Sequence, residues 1–289
     1  MKILWPYEPF SRDGKLDKIG KEIILNYFSN DSVEAVYISS HAEIELTNAF
    51  NIPIRYRFSL FPKNLIKKQL DKLNLKNLKI KVIESNFLST SKMTNELVNY
   101  AQEKKADLIL LASNSKKTIP KFIFGSFAET LLHLSHTDVL IYHQKNAYLN
   151  KKPEKIIYAH DFTLKGYKGL LKAIEYAQKW DATLFVLHVP IPAPELSDED
   201  FLFSIENNLK KCDQLLSKMK IKFKIMNLLE DYSIDELSID EVILLFARKN
   251  KIDLIAMSTQ ANNLKIVLGG SIARKVLRKS TKPILIFKT

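Results

Sequence analysis

The sequence predicts an α/β protein with two tandem Rossmann-like domains of the adenine nucleotide alpha hydrolase-like type, each a five-stranded parallel sheet with helices on both faces. Three observations predict this fold. The chain has 289 residues, which suits two domains of about 140 residues. The second half repeats the residue pattern of the first. Short β-rich segments alternate with segments of helical periodicity, an order that requires parallel strands joined by right-handed crossovers.

The elements of the first half follow from hydrophobic periodicity. Leu16, Ile19, Ile23 and Tyr27 recur at helical spacing, so the first helix has one apolar face. Runs of aliphatic and β-branched residues predict strands that are buried on both faces. We expect strands at 2–6, 34–38, 79–84, 107–112 and 138–142, and helices at 13–28, 62–73, 93–104 and 126–135.

The second half starts at Lys155 to Ala159, a segment that matches Lys2 to Pro6 at the start of the chain. A polar and basic connector without periodicity separates the two halves. We expect strands at 155–159, 183–189, 221–227, 253–257 and 283–287. The predicted organisation is a first domain at 1–145, a linker at 146–153 and a second domain at 154–289.

Composition limits the function classes. Hydrophobic residues make up 46% of the chain, which is ordinary for a globular protein. The net charge of +12 would favour nucleic acid if the lysines were clustered, but they are spread over nearly every predicted helix, which argues against it. No long apolar stretch and no signal-peptide core are present, so we expect a cytoplasmic protein without a membrane segment. Cys212 falls on an apolar helical stripe and is expected in the core.

The segment 52–60 breaks the symmetry of the two halves because it alternates apolar with basic residues. Two interpretations stay open. It is either an ordinary loop that packs Ile54, Tyr56 and Phe58 on the domain, or a lid or partner-binding edge.

Candidate site residues follow the first and fourth strands of each half. In an open parallel sheet, ligands bind beyond the carboxyl ends of the strands, where the strand order reverses. Glu8 and Asp161 follow the first strands, and the loops after the fourth strands end at Gly125-Ser126 and Gly270-Ser271. A glycine and a hydroxyl at a helix start favour an anion, although a serine there is also an ordinary helix cap.

Several of these motifs together resemble the universal stress protein family. They are Asp161-Phe-Thr after the first strand, Leu187-His-Val189 at the end of the second, and Gly270-Ser271 before the last helix. The resemblance covers nearly all of 155–289 and, with a poorer fit, 1–142. It implies a domain whose ATP-binding members use an acid after strand one, a residue at the end of strand two, and a glycine-rich phosphate loop. The implied positions are Asp161, Val189, Gly270 and Ser271 in the second copy, and Glu8, Ser39, Gly125 and Ser126 in the first.

The phosphate loop departs from the family pattern in both copies. Ala112 and Ser115 in the first copy, and Ser258 and Ala261 in the second, stand where the family has glycines. A side chain in the left-handed backbone conformation costs about 1–2 kcal/mol per residue. Two such losses would weaken a micromolar ATP site roughly a hundredfold. The resemblance therefore implies, at most, a weak site for ATP or another adenine nucleotide.

Enzyme signatures are missing from the sequence. It lacks the Gly-x-Ser-x-Gly elbow, a His-x3-His or Cys-x2-Cys metal-binding pair, and a Walker loop. His160 and His188 lie at two strand ends and could meet at the site. We expect a regulatory stress-response protein that forms an intramolecular pseudo-dimer, pairs further into a homodimer and acts through unidentified protein partners. The alternative is an ATP-binding, slowly hydrolysing nucleotide switch.

Overall fold

The structure is a computed structural model of the chain. It describes residues 1–8, 14–40, 60–75, 78–85, 89–113, 126–146, 149–190, 197–227, 237–259 and 272–289. The chain divides into two compact units, Met1–Lys151 and Lys152–Thr289. The segment 52–59 and most of both predicted phosphate loops, including Ser115, Gly125, Ala261, Gly270 and Ser271, lie outside the described residues.

The described part of the first unit alternates strands with helices. The strands are β1 (Lys2–Pro6), β2 (Ser32–Ser40), β3 (Lys79–Ser85), β4 (Leu108–Ser113) and β5 (Asp138–His143). The helices are α1 (Gly14–Tyr27), α2 (Leu60–Lys72), α3 (Thr90–Glu103) and α4 (Ser126–Leu134). The strands are parallel in the order β3-β2-β1-β4-β5, so the order reverses between β1 and β4.

The second unit repeats this plan. Its described strands are β6 (Lys155–Ala159), β7 (Thr183–His188), β8 (Lys222–Asn227), β9 (Leu254–Thr259) and β10 (Ile284–Lys288). Its described helices are α5 (Leu164–Trp180), α6 (Asp198–Ser217), α7 (Ile239–Lys249) and α8 (Ile272–Lys279). The strands are parallel in the order β8-β7-β6-β9-β10, with the reversal between β6 and β9. The predicted tandem Rossmann-like fold is confirmed.

The two units have the same topology, and equivalent hydrogen bonds form within each of them. The Asp107 carboxylate accepts from the Lys2 amide at 2.6 Å, and the Asp253 carboxylate accepts from the Lys155 amide at 3.0 Å. The Ser135 hydroxyl donates to the Thr137 carbonyl before β5, as the Ser280 hydroxyl does to the Lys282 carbonyl before β10. Such matching of local contacts is what a duplicated domain predicts.

The cores are formed by the inner strands and the helix faces that cover them. The fully buried aromatic side chains include Trp5, Tyr142, Tyr158 and Phe287. Cys212 is completely buried, as its helical stripe predicts, and its thiol donates to the Tyr167 hydroxyl with a separation of 3.8 Å. None of the described helices is both long and apolar enough to cross a membrane.

Candidate functional site

The turn between β6 and α5 is organised around Asp161. Its Oδ1 accepts hydrogen bonds from the Thr163 amide at 3.1 Å and the Thr163 hydroxyl at 2.8 Å. Thr163 in turn caps α5, because its hydroxyl oxygen accepts from the Gly166 amide at 2.9 Å. Phe162, between them, has a φ of 57°. The turn fixes the exposed carboxylate of Asp161 and uses one of its two oxygens.

Three predicted residues of the second copy lie at one edge of the sheet. Asp161 follows β6, Val189 follows β7, and Ser258 lies near the end of β9. The strand order β7-β6-β9 makes these strands neighbours, and parallel pairing brings their carboxyl ends to the same side. Asp161 is exposed, whereas Val189 is only 9% exposed. This edge lies at the reversal of strand order, where ligands bind in open α/β sheets.

Ser258 lies at this edge, and its side chain is hydrogen-bonded to the buried Tyr158. The Tyr158 hydroxyl donates to the Gly166 carbonyl at 2.7 Å and lies 2.8 Å from Ser258 Oγ. Because burial raises the pKa of Tyr158, the hydroxyl keeps its single proton, and that proton is used on Gly166. Ser258 must therefore be the donor to Tyr158. Its oxygen can still accept a hydrogen bond, but it has no second proton for a phosphate oxygen.

Two histidines lie beside this edge and are close neighbours. His188 Nδ1 lies 2.9 Å from the His160 carbonyl oxygen, which fixes Nδ1 as the protonated nitrogen of a neutral His188 ring. The Phe162 ring contacts both, with centroid distances of 5.0 Å to His160 and 4.2 Å to His188. Burial lowers the pKa of both histidines, that of His160 to about 4. The site therefore presents neutral imidazoles near pH 7.

The first copy offers a different edge. The register pairs Pro6 with Val36 and Ala159 with Leu187, so the counterpart of Val189 is Ile38 and Ser39 lies one residue beyond it. The position implied by the resemblance, Ser39, is therefore offset by one residue from the register counterpart of Val189. Ala112 is the counterpart of Ser258 and has no hydroxyl. Glu8 is exposed after β1, and Ser126 is the first residue of α4.

Sequence reasoning missed the contacts between α5 and the sheet. A side chain at Gly166 would overlap Asp161 and His160, and one at Gly169 would overlap Ser258 and Tyr158. The signal was present, because two glycines three residues apart inside a helical pattern indicate close backbone approach. The predicted ligand-binding roles of all the site residues stay predictions.

Two parallel α/β units, each with a polar edge at its reversal of strand order, define the class of tandem Rossmann-like proteins. Within that class, the chain belongs to the Universal stress protein family. The sequence pattern of the family matches residues 29–143 and again residues 153–288, once in each unit.

Individual relatives agree with this assignment. Universal stress protein MJ0531 of Methanocaldococcus jannaschii is 36% identical over 61 residues, which are 21% of this chain and 31% of that protein. The match thus spans about a third of that relative. A universal stress protein from Archaeoglobus fulgidus DSM 4304 has a TM-score of 0.68 at 16% identity, over 99% of this chain and 98% of that one. A putative universal stress protein from Pseudomonas aeruginosa UCBPP-PA14 has a TM-score of 0.64 at 16% identity, over 99% and 92%.

Proposed function

We propose that the protein is a stress-response regulator that binds an adenine nucleotide weakly in its second unit and acts through protein partners rather than by turnover. The observation that carries the proposal is the edge formed by Asp161 and Val189. Both follow adjacent parallel strands beside the reversal of strand order, and the carboxylate is fixed by its turn. A fixed acceptor next to an apolar residue suits the hydroxyls and the base of a nucleoside.

The second unit is the better candidate of the two. The acid of the first unit, Glu8, has one more methylene, so more rotamers must be frozen when it binds. Its neighbour Tyr7, the counterpart of His160, donates to Gln69 at 2.9 Å. The first unit also has Ala112 where the second has the Ser258 hydroxyl.

Weak rather than tight binding follows from the phosphate side of the site. Ser258 and Ala261 replace glycines whose backbone would approach phosphate. The Ser258 hydroxyl also donates its one hydrogen bond to Tyr158, so it has no proton for a phosphate oxygen. Gly270 and Ser271, which directly precede α8 in the sequence, are then the remaining candidates for phosphate binding in the second copy, because backbone amides at a helix start favour anions.

A nucleotide-gated switch with slow ATP hydrolysis is the second candidate, favoured by the same carboxylate edge. For either function, the protein is proposed to form a homodimer and to bind other proteins as partners. No nucleic acid is proposed, because the lysines are dispersed.

Calorimetric titration with ATP separates these functions. We expect a dissociation constant of about 100 μM for the intact chain. Asp161→Ala should weaken binding at least about tenfold, because a fixed hydrogen-bond acceptor is lost. Glu8→Ala, the matched change in the first copy, should leave the affinity within about twofold.

Three results would change the assignment. A dissociation constant below about 50 μM, with binding lost in both Asp161→Ala and Ser271→Ala, would favour the switch. A loss of affinity with Glu8→Ala would move the site to the first copy. No heat at millimolar ATP would refute a nucleotide site altogether.

A further inference from the structure

A cavity of about 490 Å³ lies in the second unit, away from the carboxylate edge. Its lining includes Ile255 near the start of β9 and Lys282 just before β10, whereas Asp161 and Ser258 lie at the opposite ends of the strands. Its apolar wall is formed by Leu237, Leu244, Leu245 and Ile255. The cavity is therefore separate from the proposed nucleotide site.

Cations predominate among the charged side chains of this cavity. The lining holds Arg248, Lys251, Lys279 and Lys282 against one acid, Glu241. Lys279 lies 3.2 Å from Glu241 and 2.9 Å from the buried Asp240, and Lys275 lies 3.7 Å from Asp240, so these two cations balance the two acids. No described residue forms an ion pair with Arg248, Lys251 or Lys282. Within the described part of the chain, the lining thus carries three cations without an ion-pair partner beside an apolar wall.

The first unit provides an internal control for the meaning of these charges. The register makes Leu108 the counterpart of Leu254, which aligns Gln102 with Arg248. The matching serine turns before β5 and β10 align Thr137 with Lys282. Lys105 and Lys251 are both lysines in the left-handed region, with φ of 49° and 53°. Since the same fold forms in the first unit with only one of these three cations, the other two are not required by the fold.

We propose that this cavity binds an organic anion with an apolar body, such as a carboxylate or sulfonate on a hydrocarbon or benzene-type aromatic group without a sugar. Its volume falls within the roughly 300–1,000 Å³ typical of small-molecule sites. The apolar wall takes the body of the ligand, and Arg248 and Lys282 hold the anionic group. Arginine in particular can bind a carboxylate or phosphate with two parallel hydrogen bonds.

Fluorescence titration with 1-anilinonaphthalene-8-sulfonate, an aromatic anion, tests the proposal on the intact chain. The uncharged N-phenyl-1-naphthylamine serves as the second probe. The double variant Arg248→Gln, Lys282→Thr replaces each of these two cations by its counterpart in the first unit. We expect the double variant to bind the sulfonate about tenfold more weakly or worse, whereas its affinity for the uncharged probe should change by less than about twofold. Leu245→Asn, also a first-unit residue, should weaken both probes.

Controls separate this site from the rest of the chain. Lys105→Gln in the first unit should leave both probes unaffected, and millimolar ATP should not displace the sulfonate. ATP affinity should be unchanged in the double variant, so failure here is distinguishable from failure of the nucleotide proposal. Sulfonate binding that survives the double variant, or that ATP displaces, would overturn the inference.

Discussion

Replacement of Gly169 by alanine is expected to destabilise the second unit by about 2–4 kcal/mol. Gly169 lies in α5 where the helix crosses β6 and β9, and a Cβ there would overlap Tyr158 and Ser258. Neither of those residues can move freely. Tyr158 is fully buried and hydrogen-bonded to Gly166, and Ser258 donates to Tyr158. The methyl group must either shift α5 or break buried hydrogen bonds.

Urea denaturation followed by circular dichroism measures this effect. Gly14→Ala is the matched control, because among the described residues no atom beyond its chain neighbours and its own helix backbone lies within 4 Å of the added Cβ. It should be neutral or slightly stabilising, since alanine restricts the unfolded chain more than glycine does. In a Tyr158→Phe, Ser258→Ala background, the cost of Gly169→Ala should fall below about 1 kcal/mol, because the clashing oxygens are gone. An equal cost in both backgrounds would contradict the packing explanation.

In the first unit, Gly20 has the same role as Gly169 in the second. Gly20 in α1 lies against Trp5 and Tyr142, and an added Cβ would come within 2.5 Å of the Tyr142 hydroxyl. The Trp5 indole donates to that hydroxyl at 3.0 Å. In both units, an aromatic residue of the first strand takes the place next to a glycine of the first helix. Glycine costs about 1 kcal/mol in a helix interior, and close packing on the sheet offsets this cost.

Most of the fold could be predicted from the sequence because burial sets its pattern. Strands β4, β5, β9 and β10 consist mostly of buried residues and appear as short apolar runs, and each was predicted to within two residues. The least accurate strand was β2, which extends two residues beyond the prediction at each end. Three of the four additional residues are serines, Ser32, Ser39 and Ser40, so hydrophobicity alone did not extend the strand to its full length.

The position of the site follows partly from topology. Asp161 was predicted because ligands bind beyond the carboxyl ends of parallel strands, whereas Val189 was implied by the resemblance to the family, and the roles of both stay predictions. The direction of the Ser258 hydrogen bond was not predictable, since it depends on a contact with Tyr158 across 100 residues. Asp240 was missed for a related reason. An acid at a helix start is usually solvated, yet here its side chain is 1% exposed and paired with Lys275 and Lys279.

Acid is expected to destabilise the second unit through His160. The ring is 4% exposed, and neither ring nitrogen has a hydrogen-bond partner among the described residues. It packs against Tyr158, Phe162 and Tyr167 at centroid distances of 5.6, 5.0 and 4.7 Å. Burial lowers its pKa to about 4; Asp161 raises the pKa and His188 lowers it by smaller amounts. The imidazole therefore stays neutral in the folded protein well below pH 6.

The sign of the effect follows from proton binding. Between pH 6.5 and 4, the unfolded chain protonates His160 while the folded protein does not, so stability falls as the pH falls. A pKa difference of about 2.5 units corresponds to about 3 kcal/mol, lost progressively over this interval. His160→Phe keeps an aromatic ring at this position, as Tyr7 does in the first unit, and removes the titration. Between pH 7 and 4, the free energy of unfolding of the His160→Phe variant should fall by about 3 kcal/mol less than that of the unmodified chain.

Urea denaturation at several pH values between 7 and 4 checks the prediction, and two comparisons make it specific. His136 is exposed, so His136→Asn should keep the full pH dependence of the unmodified chain. His188→Asn should remove a smaller part of that dependence, because burial lowers the pKa of His188 as well, while its bond to the His160 carbonyl raises it. If His160→Phe were to leave the slope unchanged, the buried ring would already be protonated or solvated in the folded protein. The aromatic enclosure of His160 would then not exclude water, and the neutral imidazole assigned to the nucleotide edge would be wrong.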